Sequence, residues 1–271
     1  MKSKNTRFIA AFLFSIIFIA SSQAQFLKKL KNRVEKKVED VVVEKTANKA
    51  AEKTSKSMDK VFEANPFGGV NQKKADPANV PNAYDFSWKY TLKMTTKEGD
   101  MVFDYYLEPG APYFGFSSIA MDHMFTVMDN GRKLTVIFME TQGNNLGMAN
   151  QMPDDLDVEE MKDQSGQFTF EQLPDKTIMG YHCKGVKATN DEFETEMYFT
   201  NEAEVSFDDI YKNQQTKIPV QLKNYFKPED KVLMISMDMR SLKNHKRDAH
   251  IECVGLEKIS KTIKKSDYKF M

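Results

Sequence analysis

The sequence predicts a mainly β protein: a curved antiparallel meander, rolled into a half-barrel or incomplete barrel, with one or two short helices and an amphipathic helical arm in front. Three observations carry this. Tyr84, Phe86, Trp88, Tyr90, Leu92 and Met94 alternate without a break with Asp85, Ser87, Lys89, Thr91, Lys93 and Thr95. Successive strand side chains face opposite sides, so this stretch has one apolar and one wet face. Next, Asp129-Asn130-Gly131 divides the apolar run Met124–Asp129 from Arg132–Glu140, and Asn-Gly between two such runs is a strong hairpin signal. Finally, alternating segments recur down the chain with turn residues between them, as at Thr189-Asn190-Asp191-Glu192 and Pro228-Glu229-Asp230. A long flat sheet would aggregate through its edges, so curling is expected.

Four parts follow in order. Residues 1–24 read as a cleaved signal peptide. Lys2, Lys4 and Arg7 form the positive end, Phe8–Ala20 the apolar run and Ser22-Gln23-Ala24 the small-x-small site. The apolar run is shorter than the ~20 residues of a bilayer span. With cysteine absent from the cleavage site, a lipid anchor is not expected, and the location implied is periplasmic or secreted. Residues 25–64 form a basic arm with Phe26, Leu27, Leu30, Val34, Val38, Val41 and Val42 at three- and four-residue spacing, the mark of an amphipathic helix. Three roles are open to it: contact with an anionic membrane surface, pairing with another helix, or a solvated tether. Residues 65–82, with Gly68, Gly69, Asp76, Pro77 and Pro81, form a linker. Residues 83–271 are the antiparallel β domain.

Within that domain the turn Lys97-Glu98-Gly99-Asp100 leads into a return strand with Met101, Phe103, Tyr105 and Leu107 on one side. Leu134–Met139 is apolar at every position except Thr135, so both of its faces are expected to be covered. Gln142–Gln167, with its Gly and Asn residues and the acidic run Asp154–Glu160, reads as a long loop. In Phe193–Thr200, Phe193, Thr195, Met197 and Phe199 face in. Glu202–Lys212 reads as a short helix covering the open side of the sheet.

The whole chain of 271 residues has a formal net charge of +0, but the charge is divided. The arm is basic and the β domain acidic, which excludes nucleic acid as the main partner, since phosphate recognition needs a basic face. Serine-hydrolase, phosphate-loop, dinucleotide and zinc-protease signatures are missing. Asp155, Asp157 and Glu159 alternate as in a calcium loop, but Glu160 and Gly166 occupy positions that need Gly and Glu, so that reading fails. Neither a metal site nor a cofactor is expected. Cys183 and Cys253 are the only cysteines; in an oxidising compartment they are candidates for a disulfide, and otherwise for buried thiols. Usage of 17 methionines fits either ordinary core filling or an adaptable apolar cavity.

With Gly180-Tyr181-His182-Cys183-Lys184, the Asp129-Asn130-Gly131 hairpin and the closing Asp267-Tyr268-Lys269-Phe270-Met271, residues 84–271 resemble an exported bacterial family known only as a domain of unknown function, family 4412. More distantly, the layout is similar to lipoprotein carriers of the LolA and LppX type. That similarity implies a curved, incompletely closed barrel with an apolar cavity for acyl chains. The resulting expectation is a non-enzymatic binding protein of the cell envelope, with Trp88, Tyr90, Phe103, Tyr105, Phe138 and Phe199 lining a face for a lipid or other hydrophobic ligand. The alternatives are a structural or assembly protein acting through the residue 26–64 arm on a membrane surface or protein, and an uncharacterised enzyme.

Overall fold

The computed structural model describes residues 73–118, 123–141, 144–152, 168–207, 210 and 230–270. The signal peptide, the arm, the start of the linker, the acidic loop and the apolar stretch 218–226 lie outside these.

The described residues form a single sheet of twelve strands. These are β1 (Ala83–Thr96), β2 (Gly99–Leu107), β3 (Tyr113–Ser118), β4 (Met124–Asp129), β5 (Leu134–Thr141), β6 (Asn144–Gln151), β7 (Thr169–Ile178), β8 (Tyr181–Thr189), β9 (Phe193–Thr200), β10 (Leu233–Ser241), β11 (Ala249–Lys264) and β12 (Lys269–Phe270). Their spatial order is β12-β6-β5-β4-β3-β2-β1-β11-β10-β9-β8-β7. This corrects the single meander. Two meanders, β1–β6 and β7–β11, are joined through β1 and β11, which pair antiparallel from Ala83↔Lys264 to Thr96↔Ala249. The outer strands β12 and β7 do not pair with each other, so the sheet is open and not a closed barrel. Among the described residues the helical elements are three-residue 3-10 turns such as Pro77–Asn79, and none is long and apolar enough to cross a membrane.

The alternation in β1 holds: Tyr84, Phe86, Trp88, Tyr90, Leu92 and Met94 are all buried. One row nevertheless serves two cores. Trp88 to Met94 belong to a large cluster that runs across β1–β3 and β8–β11. Tyr84 and Phe86 belong to a second with Val127, Leu134, Val136, Phe138 and Ala149. The register explains the division, because β2 ends opposite Trp88 at Leu107. Residues before Trp88 therefore outrun β2 and pack elsewhere. β4 shows the same division by parity: Met124 and Met128 pack on the first cluster, Phe125 and Val127 on the second. Leu134 to Phe138 on β5 are buried without interruption, as expected of a strand covered on both faces.

Several segments differ from the sequence reading. Asn144–Gln151, expected within a loop, is β6. Its Gly147 is required, since a Cβ there would lie 2.6 Å from the Phe270 ring. Residues 73–82, expected as linker, are docked: Lys74 bridges to Asn150, and Ala75 and Val80 are buried in the second cluster. Lys265 Nζ donates to the carbonyls of Pro77 (2.6 Å) and Val80 (3.2 Å). The Asn-Gly hairpin stands where expected, but its turn is wider. Asp129 pairs with Leu134, and Asp129 Oδ1 accepts from the Arg132 N–H at 2.9 Å.

Gly115 sits between Phe114 and Phe116 on β3, where Phe125 crosses it. A Cβ would come within 2.4 Å of Phe125 Cζ and 3.1 Å of Phe86 Cζ. Gly115→Val is expected to lower stability by about 1–3 kcal/mol through overpacking, read as an earlier midpoint in urea.

Candidate functional site

The candidate site is the face of the first cluster. Tyr90 faces Tyr105, Leu92 faces Phe103 and Trp88 faces Leu107 across β1 and β2. Tyr105 then meets Phe116 edge-on at 5.3 Å between ring centroids, and Phe103 stacks on Phe116 at 5.9 Å. Tyr90 donates its hydroxyl proton to the Met234 carbonyl of β10, which fixes the ring and satisfies the one polar atom it buries. Burial pushes its phenol well above the usual range.

A strap crosses part of this face. After β9, Ala203, Val205, Phe207 and Ile210 are buried in the first cluster. Phe207 lies edge-on to three rings, Tyr105 at 5.5 Å, Phe114 at 5.7 Å and Tyr90 at 6.1 Å. The strap's position matches the covering role expected of residues 202–212, but its conformation does not. Residues 202–207 carry no helix, while 208, 209, 211 and 212 lie outside the described residues, and Ala203, Val205 and Phe207 recur at a spacing of two, the period of extended chain. Three contacts tie it down. Glu202 Oε2 accepts from the His182 N–H at 2.8 Å. Glu204 pairs with Lys258 at 2.9 Å, whose ammonium lies 5.2 Å from the centre of the Trp88 ring. The Asn130 side chain donates to the Ile210 carbonyl at 3.3 Å.

Rows of side chains cross the strands of this face. In one, Val186, Met197, Met237, Ile251, Met94 and Met101 are successive cross-strand neighbours. In the adjacent row, Ala188, Thr195, Met239 and Ala249 follow one another. Much of the methionine load is thus concentrated on one face, where the unbranched thioether adapts to irregular shapes.

Of the six residues expected to line a ligand face, Trp88, Tyr90 and Phe199 are buried in the first cluster, with Phe103 and Tyr105 packed against it. Phe138 is not among them. It belongs to the second cluster, edge-on to Tyr268 at 4.8 Å and to Phe270 at 6.0 Å. Its β5 parity turns it to the opposite side of the sheet, a choice hidden in a strand that is apolar on both faces. Tyr268, which donates to Glu140 at 3.1 Å, has its phenol pushed up to about 12, first by burial and then by that carboxylate. Sequence reasoning missed Phe207 and Phe114. The spacing of Ala203, Val205 and Phe207 was the available signal.

Cys183 and Cys253 both face the first cluster, but as buried free thiols and not as a bridge. Strands β10 and β9 lie between β11 and β8, so the two cysteines are not on neighbouring strands. Burial pushes the Cys253 thiol up to about 11 and raises Cys183 as well, so both stay protonated at neutral pH. An aromatic disulfide reagent at pH 8 is expected to leave the folded protein unlabelled and to titrate both thiols in guanidinium without reductant. A bridged pair would titrate none.

Among the described residues, no group of three His, Cys, Asp or Glu could hold a metal. Three of the four histidines sit in exposed pairs: His182 with Asp175 at 3.0 Å, His250 with Asp238 at 2.7 Å and His245 with Asp248 at 3.4 Å.

Fold and face together define an open single-sheet β protein with one apolar face lined by aromatic and methionine side chains and crossed by a buried strap. The chain belongs to the DUF4412 family, described as a domain of unknown function, whose pattern matches residues 86–224, just over half of its length. No curated protein matches it. Among solved structures it is similar to PNGF-II at 9% identity and a TM-score of 0.34, covering 68% of this chain but only 30% of PNGF-II. An uncharacterized conserved protein from Thermus thermophilus overlaps at 11% identity and a TM-score of 0.34, covering 67% of this chain and 82% of that one. The LolA superfamily protein NE2245 from Nitrosomonas europaea overlaps at 6% identity and a TM-score of 0.24, covering 67% and 90%. These overlaps are low and do not establish a shared fold.

Proposed function

We propose that this chain is an exported, non-enzymatic binding protein of the cell envelope that holds a lipid or another hydrophobic ligand against the face of β1–β3 and β8–β11. The observation that carries the reading is the face itself. Aromatic rings of β1–β3 and methionines of β1, β2, β9 and β10 form one continuous apolar surface. Among the described residues, a short irregular strap, 202–207 and 210, crosses it. Binding pockets for hydrophobic molecules are built this way, apolar throughout with a few polar groups that fix orientation. Trp88, Tyr90, Phe103, Tyr105 and Phe199 are the contact residues on this reading, with Phe207 on the strap.

Native mass spectrometry of protein purified from its own host is expected to show a co-purified lipid. A fluorescent fatty acid is expected to bind saturably and to change the emission of Trp88, the single tryptophan of the chain. Absence of both effects would sink the reading.

A further inference from the structure

Among the described residues, one buried side-chain oxygen has no hydrogen-bond partner: Thr195 Oγ1. Thr195 is 0% exposed. It lies in the middle of β9, opposite Ala188 on β8 and Met239 on β10. Its neighbours on the same side of β9, Phe193 and Met197, both belong to the first cluster, so the hydroxyl is turned toward the apolar face and not toward water. A hydroxyl buried without a partner is unfavourable by about 1–3 kcal/mol, and valine would fill the same volume without that penalty. Glu194 and Glu196 are on the other side of the strand, where Glu194 pairs with Lys187 at 2.8 Å, so neither carboxylate serves Thr195.

Its surroundings narrow what it would bind. Ala188 and Ala249 are the small members of its row. Its cross-strand neighbours Ala188 and Met239 and its same-side neighbours Phe193 and Met197 are uncharged, and an ionised head group buried against them would lose its hydration without a counter-charge from these residues. A neutral carbonyl, which only accepts, suits a single hydroxyl donor.

We propose that Thr195 anchors the neutral carbonyl of an acyl ester or amide, with the acyl chain lying along the row of Met197, Met237 and Met94. This rests on the hydrophobic-ligand reading above and adds the ligand's class and direction. The Thr195 O–H donates to the carbonyl oxygen, and the methionines adapt to the chain.

The test compares two probes on the full chain: the methyl ester of a fluorescent polyene fatty acid, which carries the carbonyl, and diphenylhexatriene, which carries no polar group. Thr195→Val is expected to weaken ester binding about tenfold and to leave diphenylhexatriene binding unchanged. Thr195→Ser, which keeps the hydroxyl, is expected to restore the ester's affinity. Equal ester affinity in wild type and Thr195→Val would overturn the anchor while leaving the hydrophobic-ligand reading standing. Equal weakening of both probes would also overturn it, by showing a change in packing only. Failure of both probes to bind the wild-type chain would remove the two proposals together.

Discussion

Phe138→Ala is expected to lower folding stability by about 3–5 kcal/mol and to leave ligand binding by the folded protein unchanged. Phe138 is 1% exposed. Its ring meets Tyr84 at 6.3 Å, Tyr268 at 4.8 Å and Phe270 at 6.0 Å, and so holds together β1, β5 and the C-terminal residues. Removing it leaves a cavity that three other aromatic side chains cannot readily collapse into, because each is held by its own strand or turn. Urea titration followed by circular dichroism measures the loss. Fatty-acid binding at low urea measures the second part, and a weakened affinity there would return Phe138 to the binding face.

Asp129→Ala is the other substitution with a large expected effect, a loss of about 3 kcal/mol. Asp129 is 0% exposed. Its carboxylate accepts from the Tyr84 hydroxyl at 3.0 Å and from the Arg132 N–H at 2.9 Å, and it pairs with the Arg132 guanidinium at 3.2 Å. The substitution strands the Tyr84 hydroxyl, which is itself 0% exposed, and frees the β4–β5 turn. Thermal unfolding of the variant checks the magnitude. The same contact gives the fold a pH dependence. Burial first, and the Asp129 carboxylate second, push the Tyr84 phenol far above its ordinary range, and burial does the same to Tyr90. Both therefore remain neutral when folded and ionise near pH 10 when unfolded. Their contribution is complete below about pH 10 and is lost as pH rises beyond it. Stability measured in urea is expected to be level on this account from pH 7 to 9 and to fall in stronger alkali.

Most of the strands were legible because their signal is local. In β1, β5 and β9 the side-chain period decides both the element and its inward residues, and Thr195 was already placed facing in. The long-range joins were not legible. Nothing near Ala83 marks Lys264 as its partner, and the two meanders read as one until that pairing is seen. Turn chemistry was half visible: Asn130-Gly131 located the bend, but the Asp129 carboxylate reaching the Arg132 N–H widened it. β6 was hidden by its asparagines and by Gly147, whose missing side chain makes room for Phe270. Glu202–Lys212 read as a short helix, while for residues 203–207 the two-residue spacing of Ala203, Val205 and Phe207 was the better guide. For the site, the aromatic lining on β1 and β2 came directly from alternation. Phe138 did not, since a strand buried on both faces gives no clue to which side each residue serves.

The pairing of β1 with β11 also constrains how the fold is reached. Ala83 and Lys264 are neighbours in the sheet, yet almost the whole β domain separates them along the chain. Closing so long a segment is entropically slow. The first meander can assemble early, but its inner strand β1 then shows an unpaired apolar edge until β11 arrives. The outer edge of β6 waits in the same way for Lys269 and Phe270. A first meander formed ahead of β11 would be a half-sheet with two open edges, the kind of species that associates with its own kind. During refolding from urea, yield is expected to fall as protein concentration rises, with the losses arising before the two halves meet.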